Sequence, residues 1–321
     1  MISSTPSVST QPTQRTAVVT GATGGLGLEV AHQLATQGIR TILAGRNPQK
    51  GEAALARIRA AVPDADIRFL KLDMASLTDI RDGADQLRDS LPALDILVNN
   101  AGVMGPSQRL ATQDGFELQF GTNHLGHFAL TAQLLPILTR GSGIVVTVAS
   151  LAAWKGDLPF QDLNARKHYS PFGRYRQSKL ANLNFAIELD RRARLHGDKI
   201  HSRAAHPGWS SSDIIANSAA LGRNSSLIQR MLRQAQERIG SAVFHAMGQD
   251  VSHGALPLLY AALSPDALDG GYYGPQGRGE RRGPPGAALI PPKAADPELA
   301  RKLWQVSEEL TGTIFDWEKA S

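Results

Sequence analysis

The stretch "TAVVTGATGGLGLEV", Thr16 to Val30, constrains this 321-residue chain more than any other. It opens on a short β-branched, apolar run that reads as a buried strand, and closes on apolar residues at helical spacing. Between them, "TGATGGLG" places four glycines in eight residues. Glycine loses more backbone freedom on folding than any other residue, so such a turn needs a use for bare backbone. A strand–glycine turn–helix unit has one: it brings main-chain N–H groups and the positive end of a helix dipole against a pyrophosphate. The cradle would be Gly21, Thr23, Gly24, Gly25, Leu26 and Gly27. The octet fits both G-x-x-x-G-x-G (Gly21, Gly25, Gly27) and G-x-x-G-x-x-G (Gly21, Gly24, Gly27), and by itself does not choose.

From Thr16 onward, short β-branched runs alternate with helical stretches. "TAVVT", "RTILAG", "DIRFLKLD", "LDILVNN", "GIVVTVAS", "IHSRAAHPG" and "GGYYGP" predict strands. "GLEVAHQLATQG", "GEAALARIRAAV", "LTDIRDGADQLRDS", "FELQFGTNHLGHFALTAQLLPILTR" and "YRQSKLANLNFAIELDRRARLHG" predict helices. The alternation implies an α/β fold: one Rossmann-type domain, a doubly wound parallel sheet of about seven strands with helices on both faces. Its expected span is 15–277. Residues 1–14, "MISSTPSVSTQPTQ", carry too little apolar surface to fold and are expected to be a disordered tail. Two connections break the rhythm, 151–173 and 209–250. Long connections beyond the carboxyl ends of strands are usually functional, so these are the expected substrate loops. "GRGERRGPPGAALIPPKAADPE" reads as a Pro/Gly loop within a C-terminal extension, 278–321. The extension's helix, "PELARKLWQVSEELTG", lines up Leu299, Leu303, Val306 and Leu310 with Trp304 beside them, a stripe that needs a surface to cover.

The chain has no cysteine, which removes disulfides, thiolate catalysis and cysteine metal sites. Its net charge is +5, but the basic residues form only short clusters such as "RRARLHGDK" and "GRGERRG". Solvated arginines and a phosphate-bearing cofactor are expected rather than nucleic acid. The N-terminal stretch lacks the features of a signal peptide, and no apolar run approaches the ~20 residues that span a bilayer. A cytoplasmic protein without a membrane span is therefore expected. His124, His127 and His168 are not spaced as a metal set and read as packing or surface residues.

The end of the second strand bears on the cofactor. NAD sites carry an Asp or Glu there to hold the ribose hydroxyls. Here "LAGRN" offers Arg46 and no acid. A guanidinium pairs with a 2′-phosphate, so NADP(H) is expected. Further on, "GRYRQSKLAN" holds Tyr175 and Lys179, which share a helix face at i and i+4. An ammonium beside a phenol pulls its pKa down from about 10, which makes Tyr175 a candidate general acid/base. No other tyrosine of the chain has a lysine four residues on.

Taken in order, "TGATGGLG", Asp73 in "LKLDM", "NNAG" (Asn99 to Gly102), Asn123 in "TNHLGHF", Ser150 in "VASL", the Tyr175–Lys179 pair and "HPG" (His206 to Gly208) resemble the short-chain dehydrogenase/reductase family. The resemblance runs from about Thr16 to Gly277. "NNAG" and the position of Tyr175 look like the short, single-domain branch, whose glycine spacing is G-x-x-x-G-x-G. "NHLGHFALT" and "SKLANLNF" look most like the retinol-dehydrogenase-like subgroup and its bacterial relatives, which include ketoreductases of the daunorubicin type.

That resemblance implies the following roles. Tyr175 exchanges the proton with the substrate oxygen. Lys179 lowers its pKa and holds the nicotinamide ribose. Ser150 hydrogen-bonds the carbonyl or alcohol, and Asn123 holds a water of the proton relay. Asp73 and Met74 face the adenine. Asn100, Ala101 and Gly102 line the cofactor cleft, and Pro207 and Gly208 abut the nicotinamide. The reaction implied is NADP(H)-dependent interconversion of a lipophilic ketone or aldehyde and its alcohol. Trp154, Tyr169 and Trp209, with Phe160 and Phe172, are the candidate substrate residues, or pack their loops onto the sheet.

Two departures stand out. About two dozen residues separate Ser150 from Tyr175, longer than in many members, although the retinol-dehydrogenase-like subgroup carries a similar insert. Animal members of that subgroup often carry a membrane anchor, which the polar tail here does not resemble. Many short members form tetramers through the long central helices and last strand. An extension folded over that surface predicts a monomer or homodimer instead. Two rival readings share the scaffold: a catalytically silent NADP-binding sensor or partner-binding module, which the retained Tyr175 and Lys179 disfavour, and a C=C or C=N reductase.

Overall fold

A computed structural model describes residues 14–209 and 250–320. The expected tail, apart from Gln14, and the expected loop 209–250, apart from its end residues, lie outside the described residues. The strands are β1 (Thr16–Thr20), β2 (Arg40–Gly45), β3 (Ile67–Lys71), β4 (Ile96–Asn99), β5 (Ile144–Val148), β6 (His201–Ala205), β7 (Tyr272–Pro275) and β8 (Pro285–Ala287). They form one sheet in the order β3-β2-β1-β4-β5-β6-β7-β8. Neighbours from β3 to β7 are parallel, and β8 runs antiparallel to β7. The winding reverses between β1 and β4, where open α/β sheets place a crevice for ligands.

All seven expected strands form and run parallel, and an eighth adds an antiparallel edge. It lies in the stretch read as a Pro/Gly loop and pairs Ala287 with Tyr273, Gly286 with Gly274 and Pro285 with Pro275. Three residues rich in proline and glycine carry no strand periodicity. An edge is where a sheet tolerates proline, because no further ladder needs its missing N–H.

Helices α1 (Gly25–Thr36), α2 (Pro48–Ala61), α3 (Leu77–Ser90), α4 (Gly126–Gly141), α5 (Pro171–His196) and α6 (Val251–Leu263) cover the sheet. Local chemistry sets several starts. Asn47 accepts the Lys50 N–H, Ser76 that of Asp79 and Ser170 that of Gly173, each satisfying a donor the helix leaves free. The first helix differs: its N-cap, Gly24, makes no side-chain cap bond. Alternation along β1 divides the core. Val18 joins Ile42, Phe128 and Phe185 on one face, whereas Ala17 and Val19 join Leu34, Leu43 and Leu258 on the other.

The C-terminal extension folds onto the same chain. Helix α7 (Pro297–Thr311) packs on α5, and α8 (Trp317–Ala320) packs on α4. Trp304 is buried with its ring centroid 4.5 Å from Phe315, 5.1 Å from Phe128 and 5.8 Å from Phe185. The buried face of α7 is centred on Ala300, Leu303, Trp304 and Ser307, and Leu299, Val306 and Leu310 flank it half-buried. The expected stripe thus packs on the chain's own core, with Leu303 in it and Leu299, Val306 and Leu310 against it, while Trp304, the largest side chain of the helix, takes the centre of the contact.

Candidate active site

One cleft of about 1110 Å³ opens at the carboxyl ends of the parallel strands. Every residue expected to touch the cofactor lines it, from Gly21 in the glycine turn to Gly208 after β6. The turn needs its glycines: Gly21 (φ +66) and Gly25 (φ +52) are left-handed. A Cβ on Gly27 would lie 2.4 Å from Asn100 Nδ2 and 2.5 Å from the Gly21 carbonyl oxygen. With no side chain capping α1, its first N–H groups are left to the cleft.

The "NNAG" segment is stitched to this turn. Thr20 Oγ1 accepts the N–H groups of Asn100 and Ala101, both at 2.9 Å, and Asn100 Nδ2 donates to the Thr20 carbonyl at 2.8 Å. The same hydroxyl meets His127 Nε2 at 2.9 Å. His127 Nδ1 faces the Asn123 carbonyl at 2.9 Å. A carbonyl only accepts, so Nδ1 carries the hydrogen and Nε2 accepts the Thr20 O–H. Burial pushes His127 down to about 4, keeping it neutral. It packs, as the sequence suggested, and it also ties the glycine turn to the central helix. His124 is likewise buried, and His168 is exposed.

That central helix begins with a turn at Leu118–Phe120 and a π-helical turn at Gly121–Leu125 before α4. The π turn carries Asn123, and such turns are frequent at functional sites. Asn123 Oδ1 accepts the Val103 N–H at 2.8 Å. Its Nδ2 donates to the Val103 carbonyl at 3.0 Å and to Ser178 Oγ at 2.9 Å. The carboxamide therefore fastens the chain after "NNAG" to α5, and Asn123 is not among the residues lining the cleft.

Ser150, Tyr175 and Lys179 meet on the cleft wall. Ser150 follows β5 and caps a 3₁₀ turn at Leu151–Lys155. Lys179 Nζ donates to the Val148 carbonyl at 2.9 Å and lies 5.8 Å from the Tyr175 ring centroid. Burial pushes the Tyr175 phenol up to about 12, while a hydrogen bond with Ser150 pulls the other way. Burial also pushes Lys179 down to about 8. Away from water each group resists its own charge.

At the other end, Arg46, Lys50 and Arg57 line the cleft beside β2 and α2, and Asp73 is the one acid among its described lining residues. Lys50 and Arg57 escaped the sequence reading, although Lys50 stands four residues after Arg46 on the first turn of α2. Thr122 and Met104 also line the cleft and carry no sequence signal.

The candidate substrate residues divide. Trp154, Phe172 and Trp209 line the cleft. Tyr169 does not: its hydroxyl donates to the Pro106 carbonyl at 2.6 Å, the kind of partner a half-buried phenol needs. Phe160 lies under Lys302 of α7, 4.4 Å from the ring centroid. Among the described residues no cluster of three or more His, Asp or Glu is placed to hold a metal, and no helix is long and apolar enough to cross a membrane.

Comparison with known proteins adds the lineage. A family profile described as short chain dehydrogenase matches residues 15–223. A polyprenol dehydrogenase of Mus musculus is 37% identical over 306 residues, covering 93% of this chain and 84% of its own. A retinol dehydrogenase 12 of Mus musculus is 37% identical over 305 residues, covering 94% and 87%. Among solved structures, an uncharacterized protein from Mycobacterium Paratuberculosis superposes with a TM-score of 0.73 at 38% identity, covering 94% of this chain and 95% of that one. An actinorhodin polyketide ketoreductase solved with NADPH shares the fold, with a TM-score of 0.60 at 24% identity over 81% of this chain and 94% of that one. The chain belongs to the short chain dehydrogenase family, whose members are oxidoreductases that bind a nicotinamide cofactor.

Proposed function

We propose that this enzyme interconverts a lipophilic ketone or aldehyde and its alcohol with NADP(H), and that Tyr175 exchanges the proton. The observation that carries the reading is the meeting of Tyr175, Ser150 and Lys179 on the wall of the cleft that the glycine turn also lines. The residues fit a dinucleotide: the uncapped start of α1 suits a pyrophosphate, and no Cβ fits at Gly27. Arg46, with Lys50 near it, suits a 2′-phosphate better than ribose hydroxyls alone. Asp73 and Met74 would border the adenine, and Asn100 to Gly102, Pro207 and Gly208 the ribose and nicotinamide.

Bound there, the cofactor supplies or takes up the hydride. The chain's residues handle the proton. In reduction the Tyr175 O–H proton passes to the carbonyl oxygen as the carbonyl carbon gains the hydride; oxidation reverses both transfers. A phenol held near 12 is protonated at neutral pH, the form that donates. The Ser150 hydroxyl hydrogen-bonds the oxygen on which charge develops. Lys179 holds the nicotinamide ribose, and Asn123 acts from behind by fixing Val103 and Ser178.

A lipophilic substrate is supported by Trp154 and Phe172, exposed at 45% and 57% on the cleft lining, where an apolar ligand would cover them. The relatives named for polyprenol and retinol act on alcohols, which agrees. On this reading 15–277 carries catalysis and 278–321 is an extension folded onto it. The test is oxidation of NADPH and NADH with a panel of hydrophobic ketones and aldehydes. Turnover that favours NADPH supports the reading; no carbonyl reduced with either cofactor overturns it.

A further inference from the structure

Two loop features behind the cleft remain without a role. One is Glu280, which lies in the loop between β7 and β8 and takes φ +53, one of three left-handed non-glycine residues among those described. Such a conformation costs a side-chain-bearing residue energy and persists only where its surroundings enforce it. The other is His206, whose side chain is fully buried between β6 and the Pro207–Gly208 turn.

They form one chain of bonds. Glu280 Oε2 lies 3.1 Å from His206 Nε2. The Gly208 N–H donates to His206 Nδ1 at 3.2 Å. Nδ1 is thus the acceptor, so the ring hydrogen sits on Nε2 and is donated to the carboxylate. The second carboxylate oxygen accepts the Leu289 N–H at 2.8 Å, which anchors Glu280 itself. The ring has no freedom to turn. Tyr272 stands 5.1 Å away, and a Cβ on Gly274 would lie 1.9 Å from Nε2, so only glycine admits the imidazole there. The same loop grips the turn directly: the Arg281 carbonyl accepts the Trp209 N–H at 2.8 Å, and the Arg281 side chain lies 4.5 Å over the Trp209 ring. Gly208 itself (φ +64) has no room for a Cβ, which would meet the Arg281 carbonyl oxygen at 2.4 Å.

We propose that Glu280 is a positioning residue for cofactor binding: its carboxylate holds His206 as the Nε2–H tautomer, and His206 in turn holds the Gly208 N–H and the Pro207–Gly208 turn against the nicotinamide end of the cleft. The assignment of that end rests on the function proposed above. An opposite tautomer would turn a ring N–H against the Gly208 N–H and release the turn.

The test uses the full chain and two probes. NADPH reaches both ends of the cleft; adenosine 2′,5′-bisphosphate reaches only the adenine end. Glu280→Ala should weaken NADPH binding on the order of tenfold, the scale of a lost charge-assisted bond, and leave the bisphosphate unchanged. Glu280→Gln keeps one acceptor oxygen but turns an amide NH₂ towards the other N–H donor, so it should recover only part of the loss. Unchanged NADPH binding in Glu280→Ala, or equal weakening of both probes, overturns the proposal. A second measurement needs no variant of Glu280. In ¹⁵N-histidine-labelled wild type, with the His206 signals assigned by their absence in His206→Gln, Nε2 should be protonated and Nδ1 not; any other state overturns it. A wild type that binds no dinucleotide would sink the proposed function, and the tautomer would still decide the Glu280 linkage.

Discussion

Acid should unfold this protein through its buried histidines. His124, His127 and His206 are each at most 1% exposed. Burial lowers their pKa values from 6.5 to about 3, about 4 and about 4. Each is held neutral by partners that need one ring nitrogen bare or leave it so. In the unfolded chain all three gain protons near pH 6.5; in the native protein they do not. The unfolded state therefore binds more protons, and stability falls as pH falls from 6.5 towards 4, while above 6.5 their contribution is complete. At pH 5 the loss is about 2 kcal/mol for each, or roughly 6 in all, which rivals the whole stability of a typical domain, about 5–15 kcal/mol. The slope near pH 5 should be about 4 kcal/mol per pH unit. His124→Phe isolates the cause. The ring already sits among Phe120, Phe128 and Phe185, at centroid distances of 5.2, 6.3 and 6.2 Å. Its Nε2 donates to Ser307 Oγ at 2.9 Å, and that hydroxyl keeps its own bond to the Leu303 carbonyl at 2.7 Å without it. The variant should fold and lose about one third of the acid slope. Glu117 and Asp190, raised by burial, act in the opposite sense but equally in both proteins. Urea titrations followed by tryptophan fluorescence from pH 7.5 to 5 provide the measurement. Stability flat across that range, or an equal slope in His124→Phe, would rule out the buried histidines as the cause.

Other outcomes follow from the same geometry. Tyr175→Phe removes the hydroxyl proposed to transfer the proton and keeps the ring, so turnover should fall by ~10²-fold or more with NADPH affinity nearly unchanged; wild-type turnover would show that Tyr175 is not the acid. Arg46→Asp should lower the ratio of NADPH to NADH efficiency, and a parent enzyme that already prefers NADH would end the argument. Trp304→Ala empties the centre of the contact made by α7 and should cost about 3–5 kcal/mol in urea titrations, against no change for a loosely held tail. With α7 and α8 covering α5 and α4 in the same chain, light scattering should find a monomer or dimer, and a stable tetramer would contradict that reading.

What the sequence determined by itself is whatever repeats or acts locally. The strand limits of β1 and β2 follow from β-branched runs, and α3 starts at Leu77 where its pattern begins, whereas α2 starts at Pro48, three residues before its expected stretch, on the Asn47 cap. Tyr175 and Lys179 share a face because helical spacing is fixed, and the glycine turn is legible because no other residue suits its torsions or closeness. Tertiary structure decided who meets whom and how wet the meeting is. Spacing placed Lys179 near Tyr175, but the fold aims its ammonium at Val148 and dries both groups, which raises the phenol instead of lowering it. Pattern put Tyr169 and Phe160 in a substrate loop; packing turned them to Pro106 and Lys302. Glu280 reaches His206 across 74 positions of sequence, from a loop that an edge strand too short to show any period folds back onto β7. Periodicity encodes which face a side chain takes within its own element. Partners and desolvation depend on what other elements bring to that face, and no local pattern carries that.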